Sequence, residues 1–210
     1  MARHPRISVG NTIYHVLNRS NGKAQIFFTD ADYQSFESIL EDSLQNTRMR
    51  ILSYVIMPNH WHLILYPYED GDLSRYVKLV TETHAARLRR KTDTIGTGHV
   101  YQGRFKSFPI QHDRHFIAVA RYVEANPFRA DLVSKVGHWK WSSFWRREFG
   151  NAKQKKLLSN WPVERPPNFH KMVTIGLNEE DVSEIKHSIE KNMPFGDDHW
   201  KRKHNIKTQK

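Results

Sequence analysis

The stretch RILSYVIMPNHWHLILY, Arg50–Tyr66, decides how this chain folds. It holds two apolar runs, Arg50–Met57 and His60–Tyr66, joined across Pro58-Asn59, the pattern of a tight β-hairpin. Side chains alternate along a strand, so His60 and His62 project from one face. Trp61, Leu63 and Leu65 point from the other face, into a core.

Upstream, Thr12–Leu17 is β-rich and ends at the turn signal Asn18-Arg19-Ser20-Asn21-Gly22. Thr29-Asp30-Ala31-Asp32 then supplies a helix N-cap, and Tyr33, Phe36, Ile39, Leu40 and Leu44 recur at helical spacing. Downstream, Leu73, Val77, Val80, His84 and Leu88 mark a helix over Asp72–Arg90. Arg104–Gln111 is extended in character, and Asp113 caps a helix that runs to Asn126, where Pro127 stops it. The order β-α-β-β-α-β-α predicts an α+β fold, a ferredoxin-like antiparallel sheet with helices on one face. From about residue 145 the chain turns to basic clusters and prolines, with a short helix from Asn178 striped by Val182, Ile185 and Ile189. Residues 1–145 therefore read as one domain, and 146–210 as a mostly helical or irregular basic extension.

The 210 residues carry a net charge of +11 and a pI near 9.8. Such a surface attracts polyanions, nucleic acid first among them, although charge alone names no function. The sequence has no cysteine, which excludes disulfides and thiolate metal sites. Any metal must be held by His, carboxylate, amide or water. No signal-peptide core follows Met1, and no apolar run reaches the ~18 residues of a membrane span. The expectation is a cytoplasmic, nucleoid-associated protein with no membrane partner.

Two neutral imidazoles on one strand face can chelate a divalent cation and leave positions open for substrate oxygen. Alternating histidines also suit zinc, so spacing leaves the metal open. On the helix from Asp113, Phe116, Val119, Ala120 and Val123 form the buried stripe, while Tyr122 and Asn126 share a flank four residues apart. If that helix crosses the sheet face bearing the histidines, a phenol and an amide meet them. A phenol is a poor nucleophile while protonated; a nearby cation favours phenolate and polarises a phosphate under attack. Spacing alone does not separate Tyr122 from the rest of the eight tyrosines. Tyr101 is its leading rival, in a Gly-flanked segment without a polar partner four residues on.

Five segments, in order, add specificity: MPNHWHLIL (57–65), GHVYQGRFKS (98–107), RYVEANPFRADLV (121–133), WKWSS (139–143) and MPFGDDHW (193–200). Together they resemble the REP-associated tyrosine transposases, relatives of the small HUH transposases of insertion sequences, over roughly residues 10–200. The resemblance implies that His60 and His62 bind Mg²⁺ or Mn²⁺, with Trp61 as the bulky residue between them, and that Tyr122 is the nucleophile. Asn126 stands where related transposases place a polar metal ligand, often Gln, and is one methylene shorter. The implied reaction is transesterification on single-stranded DNA: Tyr122 forms a 5′-phosphotyrosine link and frees a 3′-hydroxyl that later rejoins the strand. The implied partners are short palindromes folded into REP-type hairpins, with a brief guide sequence beside the foot. Residues 1–145 become the catalytic domain and 146–210 a DNA-contacting extension.

Around this scheme Arg87, Arg90, Arg104, Lys106, Arg129, Lys201 and Arg202 are candidate DNA-binding residues, with phosphate the natural partner of such cations. Tyr101 and Trp200 are candidates to stack on unpaired bases. Related insertion-sequence transposases are dimers whose tyrosine helix reaches across subunits; the long tail here slightly favours a monomer. Two rival readings remain, a non-catalytic hairpin-binding protein on the same scaffold and a zinc-dependent hydrolase. The histidine pair with its tyrosine speaks against the first, and the lack of an H-E-x-x-H helix against the second.

Overall fold

In the computed structural model, which describes residues 8–205 except residue 97, the hairpin forms one half of a four-stranded sheet. The strands are β1 (Ile13–Arg19), β2 (Met49–Met57), β3 (His60–Pro67) and β4 (Lys106–Ile110). Their order is β2-β3-β1-β4, and every neighbouring pair is antiparallel. α1 (Asp30–Asn46) joins β1 to β2 and α2 (Asp72–Thr92) joins β3 to β4, so each crossover skips one strand. That is the split β-α-β arrangement of a ferredoxin-like sheet. α1 begins at a capping box in which Thr29 and Asp32 satisfy each other's backbone amides. α2 is entered through Gly71 at φ 85°, a conformation that suits a residue without Cβ.

Beyond β4 come α3 (Arg114–Glu124), α4 (Asn126–Arg129), α5 (Ser143–Phe149), α6 (Ala152–Lys155), α7 (Phe169–Ile175), α8 (Glu179–Lys191) and α9 (Asp198–Asn205). Asp113 accepts from the His115 amide at the start of α3, as its sequence position implies. α3 ends at Glu124, two residues short of Asn126, which opens α4 with Pro127 in its first turn.

Two apolar layers sandwich the sheet. Tyr14, Val16, Tyr54, Ile56, Trp61, Leu63 and Leu65 pack under α1 and α2. Ile13, Val55, Met57, Ile64, Phe108 and Ile110 pack under α3 together with Phe169, Val173, Ile185 and Phe195 from the later chain. The expectation of helices on one face therefore holds for α1 and α2 but must be widened, because α3 and the C-terminal helices cover the second face. The signal lay in β2, whose run from Ile51 to Met57 is buried at every position. A sheet wetted on one side alternates apolar with polar; one covered on both sides does not. A register shift between Ile51 and Ser53 turns Leu52 to the second face beside Ser53.

Two polar features tie the second layer down. Buried Glu124 of α3 accepts from Ser53 Oγ of β2 (2.8 Å) and Ser143 Oγ of α5 (2.6 Å). Burial pushes its carboxyl above the usual carboxylate range. The sheet edges are also occupied. Along β2, the Ile56 amide donates to Trp141 O and the Ser159 amide to Ile51 O, both at 2.9 Å. The indoles of Trp139 and Trp161 donate to Ile56 O and Leu52 O, both at 2.8 Å. At the far end of β4, Phe195 pairs with Pro109 and Gln111 through two 2.9 Å backbone bonds. No helix among the described residues is long and apolar enough to cross a membrane.

Candidate active site

The register of β3 places the two histidines. His60 lies opposite Arg19 and Met57, and His62 opposite Leu17 and Val55. On the other face Trp61 is locked from behind, its indole donating to Tyr101 Oη (3.0 Å), which also pairs with His84 Nδ1 (2.7 Å). The strand therefore cannot roll, and the imidazoles are held toward α3. Their rings stand 5.1 Å apart at 78°, and Tyr122 of α3 meets His62 with ring centroids 6.3 Å apart at 79°.

Each imidazole is held through one nitrogen. His60 Nδ1 pairs with Asn59 Oδ1 at 2.6 Å, and because that oxygen can only accept, the ring proton sits on Nδ1. His62 Nδ1 pairs with His15 Nε2 of β1 at 2.9 Å. In both rings Nε2 is left for the cavity. Asn126 donates its amide nitrogen to Tyr122 O (2.9 Å) and Val123 O (3.3 Å), which leaves Oδ1 as its ligand-capable atom. Two imidazoles and an amide oxygen suit a divalent cation with open positions. Among the described residues no three His, Cys, Asp or Glu side chains gather as a metal group, so an amide, water or substrate oxygen must complete any such site.

These groups line one cavity of about 620 Å³ with Arg19, Gln102, Arg104, Lys106, Arg129 and Glu190. The Arg129 guanidinium lies 4.3 Å from the Tyr122 ring centre, a cation–π contact that fixes the phenol and places positive charge beside it. A second cavity of about 700 Å³ adjoins along α2, sharing Asn18, Gly103 and Arg104 and adding Lys78 and Arg89. The two form one basic trough.

The structure thus brings together His60, His62, Tyr122, Asn126, Arg104, Lys106 and Arg129. Other sequence candidates lie elsewhere. Tyr101 is only 7% exposed with its hydroxyl engaged in the α1–α2 core, so neither stacking on a base nor nucleophilic attack fits it. Arg87 faces α1, pairing with Asp42 at 3.6 Å and Ser35 at 3.3 Å, and Arg90 is exposed on the same helix. Trp200, Lys201 and Arg202 ride on α9, beyond the opposite end of β4, about 13 Å of strand away from Lys106. Trp200 is half-buried and stacked on His204 at 3.9 Å. The tail residues 206–210 fall outside the described residues. Sequence reasoning missed Arg19, Gln102, Glu190 and His15. Arg19 was legible in principle as the last residue of a strand paired with the histidine strand; Glu190 had no local signal.

A model of the family described as "Transposase IS200 like" matches residues 8–126, from β1 through Asn126. The chain belongs to that family. It is 25% identical over 140 residues to the REP-associated tyrosine transposase of Escherichia coli (strain K12), covering 65% of this chain and 78% of that one. A solved structure of a REP-associated tyrosine transposase bound to a REP hairpin superposes with a TM-score of 0.57 at 20% identity, covering 70% of this chain and 84% of that one. At that identity the likeness speaks for the fold.

Burial disfavours the imidazolium in this member of the family. It lowers His15 to about 3 and His60 and His84 to about 4, and holds His62 well below the ordinary 6.5, where His15 and nearby arginines add repulsion. At these four buried positions the unfolded chain takes up protons from about pH 6.5 downward while the folded chain holds them off to well below that, so stability falls as the pH drops. Each imidazole contributes roughly 1.4 kcal/mol per pH unit. Urea midpoints should therefore drop markedly between pH 7 and pH 5; equal midpoints would contradict the burial argument.

Proposed function

We propose that this transposase recognises REP-type hairpin DNA and cleaves and rejoins one strand through a 5′-phosphotyrosine link, with Mg²⁺ or Mn²⁺ held by His60, His62 and Asn126. The observation that carries the reading is one basic cavity in a single chain, with two imidazoles presenting Nε2 beside a phenol. The names of the Escherichia coli relative and of the hairpin-bound structure support the choice of substrate. Bound there, a divalent cation polarises the phosphate and offsets its charge.

Tyr122 Oη attacks phosphorus, and the bond from phosphorus to the 3′ oxygen breaks. The phenol proton is balanced by the one gained at the freed 3′-hydroxyl. In rejoining, the 3′-hydroxyl attacks the phosphotyrosine and releases the phenol, so no nucleotide is consumed. Arg19, Arg104, Lys106 and Arg129 hold phosphates along the trough, which makes binding fall steeply with salt. Residues 1–145 form the catalytic domain. Residues 146–210 form the DNA-contacting extension, with Glu190 at the cavity rim and Trp200, Lys201 and Arg202 on α9 as its candidate DNA contacts. Tyr122 stands beside the histidines of its own chain, so no tyrosine from a second copy is needed and a monomer suffices; action on DNA hairpins would put the protein at the nucleoid.

The test is incubation of the protein with a labelled hairpin oligonucleotide bearing single-stranded flanks. With Mg²⁺ or Mn²⁺ the expected product is a denaturation-resistant protein–DNA species attached at a DNA 5′ end, abolished by EDTA. Hairpin binding without any such species in either metal would leave only the binder.

A further inference from the structure

His15 is the one buried imidazole at this site that the reaction above does not use. It sits on β1 between Ile64 and Phe108 of the neighbouring strands, fully buried, with the Phe108 ring 4.9 Å away. Its Nε2 meets His62 Nδ1 at 2.9 Å, and the two rings lie nearly parallel, 5.0 Å apart at 18°. Its Nδ1 has no hydrogen-bond partner among the described residues.

We propose that His15 is a positioning residue that accepts the His62 Nδ1 proton when His62 Nε2 takes a metal ion. A neutral imidazole carries one proton, and its metal-binding nitrogen must be the other one. For His62 Nε2 to present a lone pair to the cavity, its proton must sit on Nδ1 and be accepted there. The atom in place is His15 Nε2. Accepting that bond puts the His15 proton on its own Nδ1, an N–H buried without a partner, which is a costly placement. The packing around position 15 is apolar and has no other use for an imidazole. His15 thus does for His62 what Asn59 Oδ1 does for His60 at 2.6 Å, the outer hydrogen bond that orients a metal-binding ring.

This inference rests on His62 being a metal ligand, and one half of its test needs neither metal nor DNA. In the metal-free protein, imidazole nitrogen NMR should show a coupling across a hydrogen bond between His62 Nδ1 and His15 Nε2; no such coupling would overturn the proposal whatever the enzyme does. In the second half, Mn²⁺ affinity is measured by electron paramagnetic resonance for wild type, His15→Leu and His15→Gln. His15→Leu should bind Mn²⁺ about 10–100-fold more weakly. His15→Gln keeps an acceptor at similar reach and should stay within about threefold of wild type. Wild-type affinity in folded His15→Leu, or an equal loss in both variants, would show that the imidazole only fills space. Should His15→Leu fail to fold, the NMR reading and the Gln variant decide. Wild type that binds no Mn²⁺ would refute the proposed function, and the NMR reading would still judge His15.

Discussion

Tyr122→Phe should remove the covalent protein–DNA product, lowering its yield at least about 10³-fold, while hairpin affinity stays within about threefold. The phenyl ring preserves the contact with Arg129 at 4.3 Å and the edge against His62, so the variant loses the proposed attacking hydroxyl and little else. Gel quantification of the adduct beside a binding titration separates the two effects. Tyr101→Phe is the matched control. That hydroxyl joins Trp61 to His84 within the core, so its loss should cost roughly 1–3 kcal/mol of stability and leave the adduct in place. An undiminished adduct from Tyr122→Phe, or one lost only in folded Tyr101→Phe, would move the nucleophile elsewhere.

His62→Ala should lower adduct yield at least about 100-fold, beyond the 10–100-fold typical of losing an outer hydrogen-bond partner. It also leaves His15 Nε2 facing a void. Mn²⁺ titration should show the matching loss of affinity, whereas hairpin binding in EDTA should persist, since the proposal gives the phosphates to Arg19, Arg104, Lys106 and Arg129 of the cavity wall. Full activity in His62→Ala would sever the strand motif from the chemistry.

What could be read from the sequence follows the reach of its periodicities. The alternation in His60–Leu65 and the i,i+4 relation of Tyr122 to Asn126 are local, and the structure places them as that geometry implies. Of the crossover helices, α1 announced itself through its cap and stripe and α2 through its stripe. Contacts across strands carry no such signature. His15 meets His62 across 47 residues of sequence, and Glu190 reaches the cavity from a helix outside the stretch the family model matches. Tyr101 shows the converse failure: the sequence offered it as a base-stacking residue and a rival nucleophile, while its hydroxyl joins the Trp61 indole to His84 of α2 within the core. The covered second face was written in β2, whose run from Ile51 to Met57 is apolar at every position but Ser53, but that run also suits a strand edge-on to a helix, and only the partners in the later chain decide between them.

The bonds that later segments make to the rims of the sheet have a consequence for assembly. Strand-to-strand growth needs a row of unpaired amides and carbonyls, and from Ile51 to Ile56 several of those carbonyls and amides are already spoken for by Trp139, Trp141, Ser159 and Trp161. On the opposite rim Pro109 has no amide to offer and its carbonyl is held by Phe195. A second copy therefore finds little template for extending this sheet into a continuous one. Any association between copies has to form through helices and side chains, and removing the chain beyond Trp139 would expose a β-rich rim prone to aggregate.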